Sequence, residues 1–421
     1  MNILVIGSGA REHALVTALR LDTSVDRIIC APGNAGIARD VETCEVDATS
    51  AQAIGDLAAE LRVDLVVIGP EVPLVAGGAD AVRAHGIACF GPSAAAAQLE
   101  GSKAFAKLVM DEAGVDTARA RVCEALDEVA AALDEFGAPH VVKDDGLAAG
   151  KGVVVTSDRD EAFAHAQVCL DRGGDARVVI EEYLDGPEVS LFGITDGTTI
   201  IPLEPAQDFK RAFDGDAGPN TGGMGAYSPL PWAPPDLVAD VTEHVLQPMI
   251  DTMRERGTPF VGLLYAGLAL TSRGTRVIEF NARFGDPETQ VVLARLASPL
   301  GQVLLAAATG TLGALPPLDW QQGAAVTVVI ASKGYPENPV TGDLIEGLDE
   351  AGEVAGVTVL HAGTRATADG IVTAGGRVLS ITAQGESLTQ ARKRVYEAID
   401  RISIDGAHHR SDIARAAAPD A

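Results

Sequence analysis

At 421 residues the chain exceeds one comfortable core, and length alone predicts roughly three domains. Hydrophobic residues make up 47% but aromatic ones only 4%, so small aliphatic side chains must fill the interior. A formal net charge of −27 repels nucleic acid and anionic lipid, which excludes general polyanion binding and leaves any phosphate to be gripped by local lysines, arginines and backbone amides.

Residues 2–6, NILVI, begin a strand at once, followed by GSGARE and then ALVTALR at helical spacing, and IICA (28–31) gives the next strand. DLVVI (64–68), a helix around 77–84 and IACF (87–90) continue the alternation. It predicts a parallel sheet with ligands at the carboxyl ends of its strands. The start shows no charged leader or cleavage site, and no apolar run approaches about 18 residues, so a soluble cytoplasmic protein that engages no membrane is expected. The five cysteines fall at no metal spacing and read as free thiols, and the eight histidines do not cluster at zinc spacing.

The first glycine loop departs from the dinucleotide fingerprint, because Glu12 stands where the last glycine belongs and APGN (31–34) where a ribose-binding acid would. What remains is a place for a phosphate at the amides of Gly7 to Gly9, with Arg11 nearby. Asn34 and Glu71 end the next strands on the same rim, where they can bond ribose hydroxyls or an amine. Plain turns explain APGNAG and GPE equally well when each is taken alone.

A helix-rich stretch over 92–107 breaks the rhythm and marks a hinge. The units expected are an N-terminal Rossmann-like domain (1–103), a small α+β lid (104–190), a larger part with several strands (191–322) and a C-terminal α+β domain (323–421). In the lid, HVVK (140–143) and VVVT (153–156) flank GLAAGKG, more glycines than a hairpin turn needs. Lys143 and Lys151, with the amides of Gly146, Gly150 and Gly152, can clamp the phosphates of ATP and close as a lid; an exposed hairpin with surface lysines is the bland alternative. RVVIEEYLDGPEVS (177–190) is an apolar strand meeting acids, where Glu181 and the backbone of Tyr183 and Leu184 suit a base and Glu188 the ribose.

RVIEFNAR (276–283) alternates, so Glu279, Asn281 and Arg283 are expected on one face and Ile278 and Phe280 on the other. A carboxylate and an amide carbonyl are hard donors suited to Mg²⁺, which completes its shell with phosphate oxygens and water. A plain Glu279–Arg283 ion pair is the alternative. The loop GPNTGGMGAYSP (218–229) carries Gly222, Gly223 and Gly225 close together, which lets backbone amides approach a carboxylate or a developing oxyanion.

GSGAREHAL, APGNAG, GPEVPL, LEGSKAF, DGLAAGKGV, EEYLDGPE, QDFKR, GPNTGGMGAYSP, IEFNARFGDPETQ and HAGT follow one another from end to end. In that order and spacing the chain resembles the phosphoribosylamine-glycine ligase family of ATP-grasp enzymes. The resemblance implies an ATP-grasp fold in two parts and ADP-forming ligation of glycine to 5-phospho-β-D-ribosylamine through glycyl phosphate, with Mg²⁺ or Mn²⁺, in a monomer of purine biosynthesis. It implies Lys103 and Lys143 at the ATP phosphates, Glu181, Glu182, Tyr183 and Leu184 at adenine, Glu188 at ribose, and Glu279 and Asn281 at the metal. Gly9, Arg11, Asn34 and Glu71 are implied for phosphoribosylamine; Lys210, Arg211, Asn220, Thr221, Gly222, Gly223 and Asp286 as further substrate contacts; and Arg283, Lys143 and Asp208 as catalytic. The chain departs from the family's usual Lys-Ala-Asp-Gly at Asp144, an added acid beside Lys143 that alternation points away from the nucleotide. Rival readings are another ATP-grasp carboxylate–amine ligase and a nucleotide-binding protein without catalysis.

Overall fold

A computed structural model describes residues 1–147, 152–174 and 176–418. Gly150 and Lys151 of the expected lid lie outside them.

The N-terminal sheet is wholly parallel, in the order Glu42–Thr43, Arg27–Pro32, Asn2–Gly7, Leu65–Ile68, Ala88–Phe90. Apart from the polar edge pair Glu42–Thr43, its strands read as near-unbroken apolar runs because helices and neighbouring domains cover both faces: Ile3, Leu4, Val5 and Ile6 are fully buried. The first strand is central and the chain leaves it on either side, so a crevice opens at its carboxyl end beside Gly7 and Ser8.

Lid strands Ala120–Cys123, Val178–Glu181, His140–Asp144 and Val153–Thr156 pair antiparallel in that order. Helices Leu126–Phe136 and Arg159–Leu170 bury Val129, Leu133 and Ala166 against them. The hairpin expected around the glycine stretch is present, with Lys143 opposite Val153 and the Asp144 amide bonded to the Gly152 carbonyl at 2.7 Å. Four antiparallel strands, Ile200–Pro202, Glu188–Asp196, Val261–Thr271 and Gly274–Asn281, make the central sheet.

The C-terminal sheet runs Gln207–Asp208, Gly225–Ser228, Ala324–Ala331, Arg377–Gly385, Val357–His361. Helix Leu388–Ile399 lays Leu388, Ala391, Val395 and Ile399 on the core, the stripe its spacing predicts. Two of these strands precede residue 322, so the boundary drawn there is crossed: the loop between Asp208 and Gly225 hangs from the C-terminal sheet. The stretch over 92–107 resolves into two short helices, Gln98–Gly101 and Lys103–Glu112, parted by extended Ser102, whose hydroxyl caps the second by accepting from the Phe105 amide.

Candidate active site

Lys103 is the first residue of its helix, where the positive end of the dipole disfavours a cation. Its ammonium is held by the carbonyls of Asp144 (2.8 Å) and Gly146 (3.0 Å). Lys143, 3% exposed, pairs with Glu181 at 2.8 Å and donates to the Ile278 carbonyl at 2.9 Å, while Lys107 takes the other oxygen of Glu181 at 3.0 Å. Burial pushes Lys103 and Lys107 below the ordinary lysine range. Three ammonium groups thus converge where the lid meets the central sheet, with one buried carboxylate between two of them. That carboxylate is already engaged, so a base at this strand end is left with the backbone just beyond it. Glu182 is likewise committed, to Arg119 (3.1 Å) and Arg273 (3.2 Å), whereas the Tyr183 ring is half exposed. Asp144 is buried and paired with Arg172, which neutralises the added acid.

The strand that carries Glu279 and Asn281 differs from simple alternation. Glu279 pairs with Gly267 and Val277 with Leu268, so Ile278 is a bulge, and the buried residues are Val277 and Phe280 while Ile278 is only partly covered. The extra residue shifts the pleat. Glu279 keeps its place because Gly267 opposite has no side chain: a Cβ there would sit 3.3 Å from the Glu279 Cγ. Burial works against its charge, but Lys210, Lys143 and Lys103 outweigh it and hold the carboxyl below its usual range. It is therefore an anion among cations. The strand ends at Asn281, and Arg283 leaves the expected common face for the N-terminal domain, pairing with Glu100 (2.8 Å) and Glu71 (3.2 Å). The Glu279–Arg283 ion pair weighed from sequence is absent among the described residues.

On the N-terminal rim the Gly9 amide donates to the Glu12 carboxylate at 2.6 Å, and Glu12 also takes Arg11 Nε at 2.6 Å. A Cβ on Gly7 or Gly69 would come 2.6 or 2.0 Å from Glu12, so the acid fills the glycine-lined hollow in which a phosphate was expected. Arg11 reaches on to the Phe284 carbonyl at 3.2 Å. Asn34 donates to the carbonyls of Ser8 (2.9 Å) and His361 (2.8 Å) and accepts from the amides of Gly36 and Ile37. All its polar capacity on these atoms is used in tying the rim to the C-terminal domain. Asp286 stands near this rim: a Cβ on Gly9 would lie 3.6 Å from its Oδ2.

The loop from the C-terminal sheet completes the site. Lys210 pairs with Glu188 at 2.5 Å, and Thr221 Oγ1 donates to the Lys210 carbonyl at 2.9 Å. Arg211 pairs in a two-stranded ladder with Asn220, its guanidinium on the Gly218 carbonyl at 2.8 Å. Asp208 is pushed up to about 7, chiefly by burial, which the Lys210 charge opposes and Glu288, Glu188 and Glu279 reinforce. Gly223 has φ +109°, and a Cβ on it would stand 2.4 Å from Pro287 Cδ, so only glycine fits against the Asp286–Pro287 turn. Asp286 accepts from Gln290 Nε2 at 2.9 Å and lies below the usual carboxylate range, because Arg377 and Arg11 outweigh its burial.

Sequence reasoning overlooked four of these residues. Lys107 and Glu100 lie in the same LEGSKAFAK run as Lys103, and Lys107 follows Lys103 by one helical turn, a readable signal. Glu288, buried and accepting from Tyr265 Oη (2.6 Å) and Ser190 Oγ (2.9 Å), lies in the quoted IEFNARFGDPETQ run, whereas Arg377 carried no local mark.

Profiles of phosphoribosylglycinamide synthetase match three segments: the N domain over residues 1–100, the ATP-grasp (A) domain over 101–289 and the C domain over 325–416. The chain is 65% identical over 420 residues to phosphoribosylamine–glycine ligase of Streptomyces coelicolor, covering 99% of this chain and 100% of that protein. It is similar to the crystal structure of phosphoribosylamine–glycine ligase from Thermotoga maritima, with TM-score 0.84 and 32% identity over 98% of this chain and 100% of that one. The biotin carboxylase domain of Hydrogenobacter thermophilus 2-oxoglutarate carboxylase, solved with MgADP, ADP and bicarbonate, shares the fold at TM-score 0.72 and 16% identity, covering 97% of this chain and 91% of that one.

Proposed function

The chain belongs to the phosphoribosylglycinamide synthetase family, and we propose that the lysine-ringed cleft between lid and central sheet is where it performs the ADP-forming ligation of glycine to 5-phospho-β-D-ribosylamine. A glycine carboxylate oxygen attacks the γ-phosphorus of ATP, releasing ADP and giving glycyl phosphate. The amine of phosphoribosylamine then attacks the carbonyl carbon, the C–O bond to phosphate breaks, and phosphate leaves with one carboxylate oxygen as the amine loses a proton. The first step brings like charges together and the second develops an oxyanion at the carbonyl, so catalysis rests on neutralising charge and holding reactants in line.

The convergence of Lys103, Lys107 and Lys143 opposite Glu279 carries this assignment. Lys103 and Lys143 bind the phosphates, while Glu181 pairs with Lys107 and Lys143 in a buried place. The backbone of Glu182 to Leu184 takes the base and Glu188 the ribose. Glu279 and Asn281 fit a divalent ion: both offer hard oxygens, and the lysines keep Glu279 ionised. Among the described residues no group of three His, Cys, Asp or Glu stands at metal-holding distance, which suits Mg²⁺ or Mn²⁺ sharing its shell with phosphates and water. Such an ion, when bound, neutralises the phosphate oxygens as the phosphoryl group moves.

The Asn220 to Gly223 loop lines the place for glycine, and Asp286, held ionised and beside the N-terminal rim, receives the ribosylamine together with Arg11 and Glu71. Arg283, locked between Glu71 and Glu100, sets the rim against the metal strand and lends positive charge to the reacting groups. Asp208, raised to about 7, suits transfer of the proton lost by the amine. Among the described residues no helix is long and apolar enough to cross a membrane; all five cysteines are free and four are buried, which supports a reducing, cytoplasmic setting. The deciding assay is ADP release from purified protein: complete turnover requires glycine and phosphoribosylamine together, and no dependence on either refutes the reading.

A further inference from the structure

Arg377 opens strand Arg377–Gly385 of the C-terminal domain, far in sequence from every residue assigned above. Its Nη1 donates to the carbonyls of Gly222 (2.6 Å), Asp286 (2.9 Å) and Gly223 (3.3 Å), and Nη2 pairs with the Asp286 carboxylate at 3.3 Å. One guanidinium thus joins the glycine-rich loop to the turn at Asp286. A second bridge comes from the same domain, since Tyr335 Oη accepts from the Gly222 amide at 3.2 Å. The absent side chain of Gly222 makes the approach possible: a Cβ there would lie 3.0 Å from Arg377 Cζ. An open cavity of about 200 Å³ is lined by Asn220 to Gly222 together with Tyr335, Pro336, Pro339 and Gly376.

We propose that Arg377 is a positioning residue for glycine: it fixes the loop that receives the amino acid in register with Asp286, so the C-terminal domain sets affinity for glycine. The proposal rests on the assignment of the Asn220 to Gly223 loop to glycine. A planar fork reaching three carbonyls and a carboxylate is a task lysine performs only in part.

The test is steady-state kinetics of the full chain with KM measured separately for glycine, ATP and phosphoribosylamine, beside thermal unfolding. Arg377→Met is expected to raise the glycine KM roughly 10- to 100-fold, the loss expected for charge-assisted bonds, with the ATP KM and the melting temperature little changed. Arg377→Lys recovers part of the loss, and Tyr335→Phe raises the glycine KM by a smaller factor. A glycine KM within about twofold of wild type in Arg377→Met overturns the proposal, as does a parallel rise in all three KM values with a fall in melting temperature. Asn220→Ala separates the two layers. If it raises the glycine KM while Arg377→Met does not, only the positioning role fails; if neither does, the loop assignment fails with it.

Discussion

His361 sits 3% exposed where the C-terminal domain meets the N-terminal rim, its ring 5.8 Å from that of His13 and its Nδ1 3.0 Å from Thr364 Oγ1. A Cβ on Gly36 would come within 2.3 Å of the ring, so no room is left to hydrate an imidazolium. Burial, reinforced by the charges of His13 and Arg39, lowers its pKa from 6.5 to about 3. Between those values the unfolded chain binds the extra proton, so stability is full above about pH 6.5 and is lost as pH falls toward 3. With the slope rising to about 1.4 kcal/mol per pH unit below about pH 6, the group costs roughly 2 kcal/mol between pH 6.5 and 4.5. Urea unfolding of wild type and His361→Asn across that range isolates the term from the carboxylates common to both. The curves should converge with a slope difference near 1.4 kcal/mol per unit; parallel curves would show that the ring already takes up its proton in the folded protein.

Glu279→Ala should lower turnover by roughly 10³-fold or more while leaving the unfolding transition in place, because the side chain faces lysines rather than the core; near-normal turnover removes the metal assignment. Glu181→Leu leaves Lys107 and Lys143 buried without their shared anion, and chemical denaturation should register a loss of about 3 kcal/mol, together with a raised KM for ATP. Gly223→Ala meets both a positive φ and Pro287, so it should cost about 1–3 kcal/mol in the same measurement and raise the glycine KM; an unchanged midpoint contradicts the close approach.

The parallel N-terminal sheet was legible because four of its five strands are short apolar runs, the polar edge pair Glu42–Thr43 giving no signal, and the lid hairpin because valine-rich strands flank its loop. The C-terminal sheet was only half legible. Ala324–Ala331 and Arg377–Gly385 announce themselves by pattern, but Gln207–Asp208 and Gly225–Ser228 are short and polar, and their partners lie far along the chain. The bulge at Ile278 was hidden for a related reason: strand period two is a property of regular pairing, and the irregularity belongs to the contact with Gly267 and Leu268. Chemistry followed the same division. Glu279 and Asn281 could be singled out from residue type and spacing, whereas the engagement of Glu12 with the Gly9 amide, of Glu181 with two lysines and of Arg283 with Glu71 and Glu100 depends on which groups the fold brings within reach.

The fate of one oxygen atom decides whether glycyl phosphate is formed. With glycine labelled with ¹⁸O in its carboxylate, turnover with ATP and phosphoribosylamine should transfer one labelled oxygen to each inorganic phosphate released, because that oxygen bridges carbon and phosphorus in glycyl phosphate. Phosphate released without label would mean that the carboxylate is never phosphorylated, and the cleft of Lys103, Lys143 and Glu279 would need another chemistry.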